Sequence, residues 1–405
     1  MRVLFVNPAA TLGGSERSLL DLLASLRASV PSVTPRLLAL ADGELVERAR
    51  ELGVPTDVLP LPEGLAELGD SGSDAWGLAA RTPALLRAGI AAAGFGARLR
   101  RLVRAFAPDI VHTNGMKAHL VLPAVVPEYP RVVHLRDFAS ERPLARRVLP
   151  LLARRSIVVT NSRAVEEDAR RLAPRSRTRV VYNGVDLEEF APRARELTHL
   201  AALAGMSVPE PESIVVGMLA TFAWWKGHRT FLRAAARVLA EEPALGFRFY
   251  VVGGPIYARP GAEVTERELR QTVAELGLEP HVGFVPFQHD AAAAYRGLDI
   301  VVHPSERPEP FGRTIVEAMA CERAVVAARA GGAAELFVDG ETALGHRPGD
   351  ASDLAAAVLR LARDAGLRSR IARAGRLAAE ARFDRRRLGP ELHAVYGELL
   401  AGRLR

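Results

Sequence analysis

The sequence predicts an α/β chain of two doubly wound parallel sheets, and three observations carry that prediction. Short apolar, β-rich runs alternate with stretches of helical periodicity along most of the chain. The alternation breaks once, at GMSVPEPES (205–213), where two prolines and no periodicity suit a connection, and then restarts. Finally, 405 residues exceed one ordinary core, since about 150 residues per domain is the soft expectation.

Taken in order, RVLFVN reads as a strand, PAATLGGSE as a glycine loop, and RSLLDLLASL as a helix with apolar residues on one face. RLLALA, DIVHTN, RVVHLRD, SIVVTNS and RVVYNG repeat the strand pattern, each followed by a loop or helical run. Residues 62–76, PEGLAELGDSGSDAW, are rich in Gly, Ser and Asp and read as a surface loop. The second series runs IVVGMLA, a helix from Thr230 to Glu241, FRFYVVGGP, a helix around Glu266 to Leu276, HVGFVPF and DIVVHPS. A helix after Gly312, the strand AVVAAR and further helices complete it. The expected division is therefore a first domain over 1–197, a connection over 198–213, a second domain over 214–380, and a terminal helix over 381–405 packing back on the first. Strands this continuously apolar are covered on both faces. In such folds ligands bind beyond the carboxyl ends of the strands, so the loops after each apolar run are where chemistry is expected.

Composition narrows the partners. With 49% hydrophobic and 25% charged residues and a mean hydropathy of +0.06, the chain has the makeup of a soluble globular protein. The longest apolar stretch, Leu85 to Leu99, is interrupted by Arg87 and Arg98, so no membrane span is expected. Residues 1–8 lack the regions of a secretion signal, and Cys321, the single cysteine, has no intrachain partner. The expected location is cytoplasmic, with a membrane-surface position open. Net charge is +7, and arginines cluster at 98, 100, 101 and 104, at 146, 147, 154 and 155, and at 385–387. Those clusters suit either anionic membranes, polyanions or phosphorylated substrates, or simply solvated helix faces. No zinc-type spacing and no basic recognition helix with stacking aromatics is present, so nucleic acid is not an expected partner.

Two lysines, Lys117 and Lys226, stand against 54 Lys+Arg in all. A chain so committed to arginine does not need lysine for surface charge. Lys226, in FAWWKGH, precedes a helix that follows the first strand of the second half. An ammonium beside helix-start amides is suited to a diphosphate, because it is a compact point charge that follows phosphate oxygens where a guanidinium prefers a planar fork. In HPSERPEPFGRTIVEAMA, Glu309 sits in a proline-bracketed loop and Glu317 eight positions on, in the helix beginning near Thr314. Amides of Phe311, Gly312, Arg313 and Thr314 can meet phosphate or sugar oxygens, and Glu317 can accept from a vicinal diol such as ribose. Paired carboxylates also suit glycoside hydrolysis. Two Rossmann-like halves and a phosphate-type lysine count against that, and the absence of an Asp-x-Asp pair favours chemistry without a metal.

These motifs together make the chain resemble a retaining glycosyltransferase of family 4, with the two-domain GT-B fold. The resemblance rests on GGSERSLLDL, DIVHTNGMKA, VVYNGVDLEEF, WWKG, PEPFGRTIVEAMA (the family's E-x7-E element) and AGGAAELFVDGETALGH, spread from residue 13 to about 346. It implies a nucleotide-diphosphate sugar on the second domain, facing the first across a cleft, and no cofactor besides that co-substrate. Lys226 would hold the diphosphate, Glu317 the ribose and Glu309 the sugar hydroxyls. Backbone of Phe311, Gly312 and Arg313 would approach sugar and phosphates, backbone near Val285 the base, and Gly13-Gly14 the diphosphate from the other side. Lys226 and Glu309 would carry catalysis, by front-face displacement in which the departing phosphate takes the acceptor proton.

One departure from the family stands out: the arginine usual five residues before the lysine is Thr221 here, so Arg229 or Arg313 becomes the candidate second cation. On the acceptor or sugar side stand His112, Asn114, Lys117, Arg136 and Asp137. His112 is either a sugar ligand or a buried core histidine, Lys117 either a phosphate or acceptor contact or a helix-surface residue, and Arg136-Asp137 either a site pair or an ion pair. Trp224 and Trp225 are expected to pack the domain or line the cleft rather than stack on sugar. The acceptor class stays open among small molecules, glycans and lipid-linked alcohols. A nucleotide-sugar epimerase and a non-catalytic binding protein are the alternatives.

Overall fold

The structure, a computed structural model, describes residues 1–62, 82–255 and 264–402. The chain forms two compact units, Met1–Gly184 with Arg385–Arg405, and Val185–Asp384. The loop expected over 62–76 lies, beyond Pro62, outside the described residues.

The first unit is a seven-stranded sheet, all parallel, of order β3-β2-β1-β4-β5-β6-β7. Its strands are β1 (Arg2–Asn7), β2 (Thr34–Ala39), β3 (Thr56–Val58), β4 (Ile110–Asn114), β5 (Arg131–Leu135), β6 (Ser156–Thr160) and β7 (Arg177–Val180). The helices are α1 (Gly14–Ser29), α2 (Glu44–Glu51), α3 (Thr82–Phe106), α4 (Met116–Val125), α5 (Pro143–Leu152) and α6 (Arg163–Leu172). Every residue of β4, β5 and β6 is buried, as expected of strands with helices on both faces. One of these layers is completed from the far end of the chain: the C-terminal helix Leu388–Ala401 lays Leu388, Leu392, Val395, Tyr396 and Leu399 into the core that α1 forms with Leu19, Leu22, Leu23 and Leu26.

The second unit repeats the plan with six parallel strands of order β10-β9-β8-β11-β12-β13. These are β8 (Ile214–Leu219), β9 (Phe247–Val252), β10 (Val282–Val285), β11 (Ile300–His303), β12 (Ala324–Ala328) and β13 (Leu344–His346). Around them lie α7 (Thr198–Ala204), α8 (His228–Glu241), α9 (Glu266–Glu275), α10 (Ala291–Arg296), α11 (Arg313–Ala320), α12 (Ala351–Arg363) and α13 (Ala365–Phe383). No helix among the described residues is long and apolar enough to cross a membrane.

The compact units divide at Gly184 and Asp384, whereas the sequence suggested divisions at 197, 213 and 380. Hydrogen bonding explains the difference. Glu196 N–H donates to Arg296 O at 3.1 Å, Arg323 Nη2 to Arg193 O at 2.7 Å, and Arg195 pairs with Asp299 at 2.8 Å, so 185–213 is tied to the second unit. Polar and proline-rich as it is, that segment is anchored by these bonds.

Candidate functional site

In both sheets the strand order reverses beside the first strand, between β1 and β4 and between β8 and β11. At such a switch point two neighbouring loops diverge to opposite faces and leave a crevice at the carboxyl ends. In the second unit those loops are the ones bearing Lys226 and Glu309.

The two loops are joined at several points. After β8 the chain turns through a 3₁₀ segment, Trp224–Lys226, then Gly227 at φ 76° leads into α8. A β-carbon at Gly227 would lie 1.9 Å from Pro304 O, so only glycine allows the lysine loop to rest on the loop after β11. Glu306 N–H donates to Trp225 O at 2.8 Å and Thr230 Oγ1 to Glu306 Oε1 at 2.7 Å. Across this seam Lys226 Nζ donates to Glu309 Oε1 at 2.5 Å. Ser305 Oγ donates to the same oxygen at 2.7 Å, and His303 Nε2 lies 3.9 Å from it.

Burial alone would raise the Glu309 carboxyl pKa; the Lys226 ammonium, then His303 and the two hydrogen bonds, overcome it and hold the pKa down at about 2. Burial likewise pushes His303 down to about 4, so near pH 7 the ring is neutral and the cation facing Glu309 is Lys226. An ammonium has three donors, and Glu309 takes one of them. The Glu309 backbone is fixed as well, its carbonyl accepting from Gly332 N–H at 2.7 Å.

Glu317 is held on α11, one helix turn and more beyond the Gly312 N-cap at φ 99°. Tyr295 Oη donates to its Oε2 at 3.0 Å and Arg313 Nε to its Oε1 at 3.1 Å. Burial, and after it the Glu317 charge, push the Tyr295 phenol well above its usual range, so it stays a donor. A carboxylate offers about four acceptor positions, which leaves Glu317 room for further donors. Phe311 is buried, with its ring 6.0 Å from that of Phe383, and Thr314 O accepts from Tyr295 Oη at 3.4 Å. The Val285 carbonyl accepts from Gly253 N–H at 2.9 Å within the fold.

Thr221 does not offer its hydroxyl outward: Oγ1 donates to Gly254 O at 3.2 Å. Of the cations named as its substitute, Arg313 is committed to Glu317, and Arg229 is exposed and lies 3.9 Å from Glu268. A third arginine was not anticipated. Arg307, exposed in the Glu309 loop, places its guanidinium 4.3 Å from the ring centroid of Trp224, which is 40% exposed and two residues from Lys226. Trp224 therefore carries a cation on its face rather than packing into the core, and its ring meets that of Trp225 edge-on at 5.8 Å.

The first unit fills its switch point differently. Asn114, the last residue of β4, donates from Nδ2 to Asn7 Oδ1 (2.6 Å) and Ser15 Oγ (3.2 Å), and accepts at Oδ1 from Arg136 Nε (2.9 Å). Arg136 Nη1 also donates to Asn183 Oδ1 at 2.5 Å. His112 lies within β4 and is 0% exposed. Its ring nitrogens pair with Tyr396 Oη at 2.8 Å and His134 Nδ1 at 3.0 Å, and burial holds both histidines well below the usual range. It is a satisfied core histidine and presents nothing to a ligand. Asp137 pairs with Arg142 rather than with its neighbour Arg136. Gly13 has φ −102°, open to any residue, and its N–H donates to Glu16 Oε2 at 3.2 Å at the start of α1, so no tight glycine turn is needed there. Lys117 is half-buried on α4.

Sequence reasoning missed Asn7, Glu16, Asn183, Tyr295, Ser305 and Arg307. Ser305 had a readable signal, since it follows His303 at strand spacing and so shares its side at the end of β11.

Known proteins share this two-unit architecture. The Anabaena protein Alr3699/HepE in complex with UDP-glucose is 27% identical, with a TM-score of 0.78, covering 99% of this chain and 100% of its own. The same protein with UDP and glucose is 26% identical, with a TM-score of 0.78 and coverage of 98% and 99%. A D-inositol 3-phosphate glycosyltransferase from Stackebrandtia nassauensis is 34% identical over 260 residues, 62% of this chain and 56% of the relative. This chain spans about half the length of the curated relatives it matches. Residues 12–189 match Glycosyltransferase Family 4 and residues 210–364 match Glycosyl transferases group 1, and the chain belongs to these family 4, group 1 glycosyltransferases of GT-B architecture.

Proposed function

We propose that the protein transfers a sugar from a nucleotide-diphosphate sugar to an acceptor hydroxyl, with retention at the anomeric carbon and without a metal ion. The observation that carries this reading is the Lys226–Glu309 pair at the second unit's switch point, with donor capacity left on the ammonium. Lys226 meets the diphosphate and offsets the charge that builds on it as the bond from the anomeric carbon to the phosphate oxygen breaks. Glu309 orients the sugar through its hydroxyls, Glu317 takes the ribose diol, and amides from Phe311 to Thr314 meet sugar and phosphate oxygens. The acceptor oxygen bonds to the anomeric carbon on the face the phosphate leaves, and its proton passes to that phosphate, so no side chain serves as base. His303, neutral and buried, is consistent with that assignment.

Because a protein alike across the whole chain was solved with UDP-glucose, a uridine diphosphate hexose is the first donor to try. D-inositol 3-phosphate heads the acceptor panel for a parallel reason. The first unit is assigned the acceptor side, with Arg136, bonded to Asn114 at the end of β4, as its cation at the switch point.

Donor consumption with and without acceptors tests the proposal. Transfer that persists in chelator and gives a product of unchanged anomeric configuration is the expected result. Consumption without any acceptor indicates epimerisation, and binding without consumption indicates a non-catalytic protein, a reading favoured only by Thr221 being spent on Gly254. A thermal-shift screen of nucleotide sugars identifies the donor, since a ligand that binds only the folded state raises Tm.

A further inference from the structure

Helix α5 presents an outer face that combines exposed cations with exposed aliphatic side chains. Arg146, Arg147, Arg154 and Arg155, on the helix and the 3₁₀ turn that extends it, are all exposed. On several other helices the arginines sit beside glutamates, as Arg48 does with Glu44, Arg170 with Glu166, Arg171 with Glu167 and Arg270 with Glu266. From Arg142 through Val165 the sequence contains no acid at all; of the acids just before, Asp137 is held by Arg142 and Glu141 ends the 3₁₀ turn ahead of the helix. Arg155 also faces another cation, since burial and then the Arg155 charge lower the buried Arg131 below the usual guanidinium range.

Between these charges lies apolar surface. Ala145 and Leu149 are buried and anchor the helix, which turns Leu144, Val148 and Leu151 to another side at i, i+4 and i+7. Leu144 and Val148 are partly exposed, and Leu151 is 62% exposed, among the most exposed large apolar residues described. Leu377 on α13 is similarly exposed, but it lies one turn from Glu380, which Arg376 already pairs. A row of aliphatic side chains flanked by exposed arginines, with no acid on the helix itself, is what a helix lying in a lipid headgroup layer requires. A purely polyanionic partner such as nucleic acid or an acidic polysaccharide would use the charge but leave Leu151 without a role. We infer that the α5 face, with Leu151 at its centre, docks the protein on an anionic phospholipid bilayer. This goes beyond the transferase reading, and its test needs no turnover.

The test is co-sedimentation of the full chain with vesicles of phosphatidylcholine alone or mixed with phosphatidylglycerol, at low and high salt. Binding is expected with the anionic vesicles only, and weaker in salt. Arg147→Glu with Arg154→Glu is expected to weaken it at least about 25-fold, from about fivefold for each arginine near such a surface. Leu151→Asp is expected to weaken it too, and more than Leu151→Ala. The control is Arg98→Glu with Arg101→Glu on α3, which changes net charge equally and is expected to leave most binding intact; circular dichroism checks that each variant folds. Equal binding to both vesicle types, equal loss in the control, or binding to heparin but not to vesicles would each overturn the inference.

Discussion

The two units share a strand order and differ in what occupies its reversal. In the first, amides and hydroxyls from Asn7, Ser15, Asn114 and Asn183 form a network with Arg136, the buried Glu16 accepts from Asn7 and Gly13, and the hydrogen bonds run from protein to protein. In the second, a lysine and a glutamate meet with donors left over. The shared topology sets where a crevice forms, and the side chains decide what each crevice presents.

The largest expected effect breaks the second unit's side of this contrast. Lys226→Ala and Glu309→Ala should each lower transfer on the order of 100-fold to 1,000-fold while circular dichroism remains that of a folded chain. Wild-type turnover in either would remove the site assignment. On the first unit's side, Asn114→Ala deletes a residue that accepts from Arg136 and donates to Asn7 and Ser15. A stability loss of about 2–3 kcal/mol, read by denaturant unfolding, should accompany unchanged donor affinity. Weakened donor binding with no loss of stability would mean that the network is a ligand site after all.

Acid probes both units together. His112, His134 and His119 (about 3) in the first, and His228 and His303 (both about 4) in the second, titrate below the usual 6.5, chiefly through burial. A depressed folded pKa contributes stability that is complete above the unfolded value and lost as pH falls toward the folded one. The loss should therefore begin near pH 6.5, each ring adding a slope of about 1.4 kcal/mol per pH unit. Glu309 adds a second phase from the ordinary carboxylate range down to about 2. A Tm that stays level from neutral pH down to about pH 5 would contradict the buried neutral histidines.

The smallest effect sharpens the account of Thr221. Arg307→Ala should raise the donor KM about tenfold with little change in kcat, as for a lost charge-assisted contact. Thr221→Arg in that background should restore part of the loss. Unchanged KM in the first variant would leave Arg307 a surface contact of Trp224.

Much of the scaffold was legible because it is local. The alternation of β-rich and helical runs is written within short windows, and Lys226 stood out by rarity while Glu309 and Glu317 did so by spacing. What was not legible depends on distant pairing. His112 meets Tyr396 across 284 positions, so the sequence left its burial as one of two readings and could not name the partner. Asp137 binds Arg142, five residues on, because the turn after β5 brings that arginine back. Arg307 gains meaning only when the fold sets it over Trp224. The division at Gly184 rests on single hydrogen bonds from an otherwise irregular segment, which no periodicity announces.

The last helix has a consequence for how the chain is made. Val185–Asp384 is inserted whole into the first unit, whose α1 face is covered only when Leu388 to Leu399 arrive. At about 5–20 residues per second, a ribosome spends some tens of seconds on the insert while that apolar face waits, so newborn chains should depend on chaperones more for the half synthesised first than for the half synthesised second.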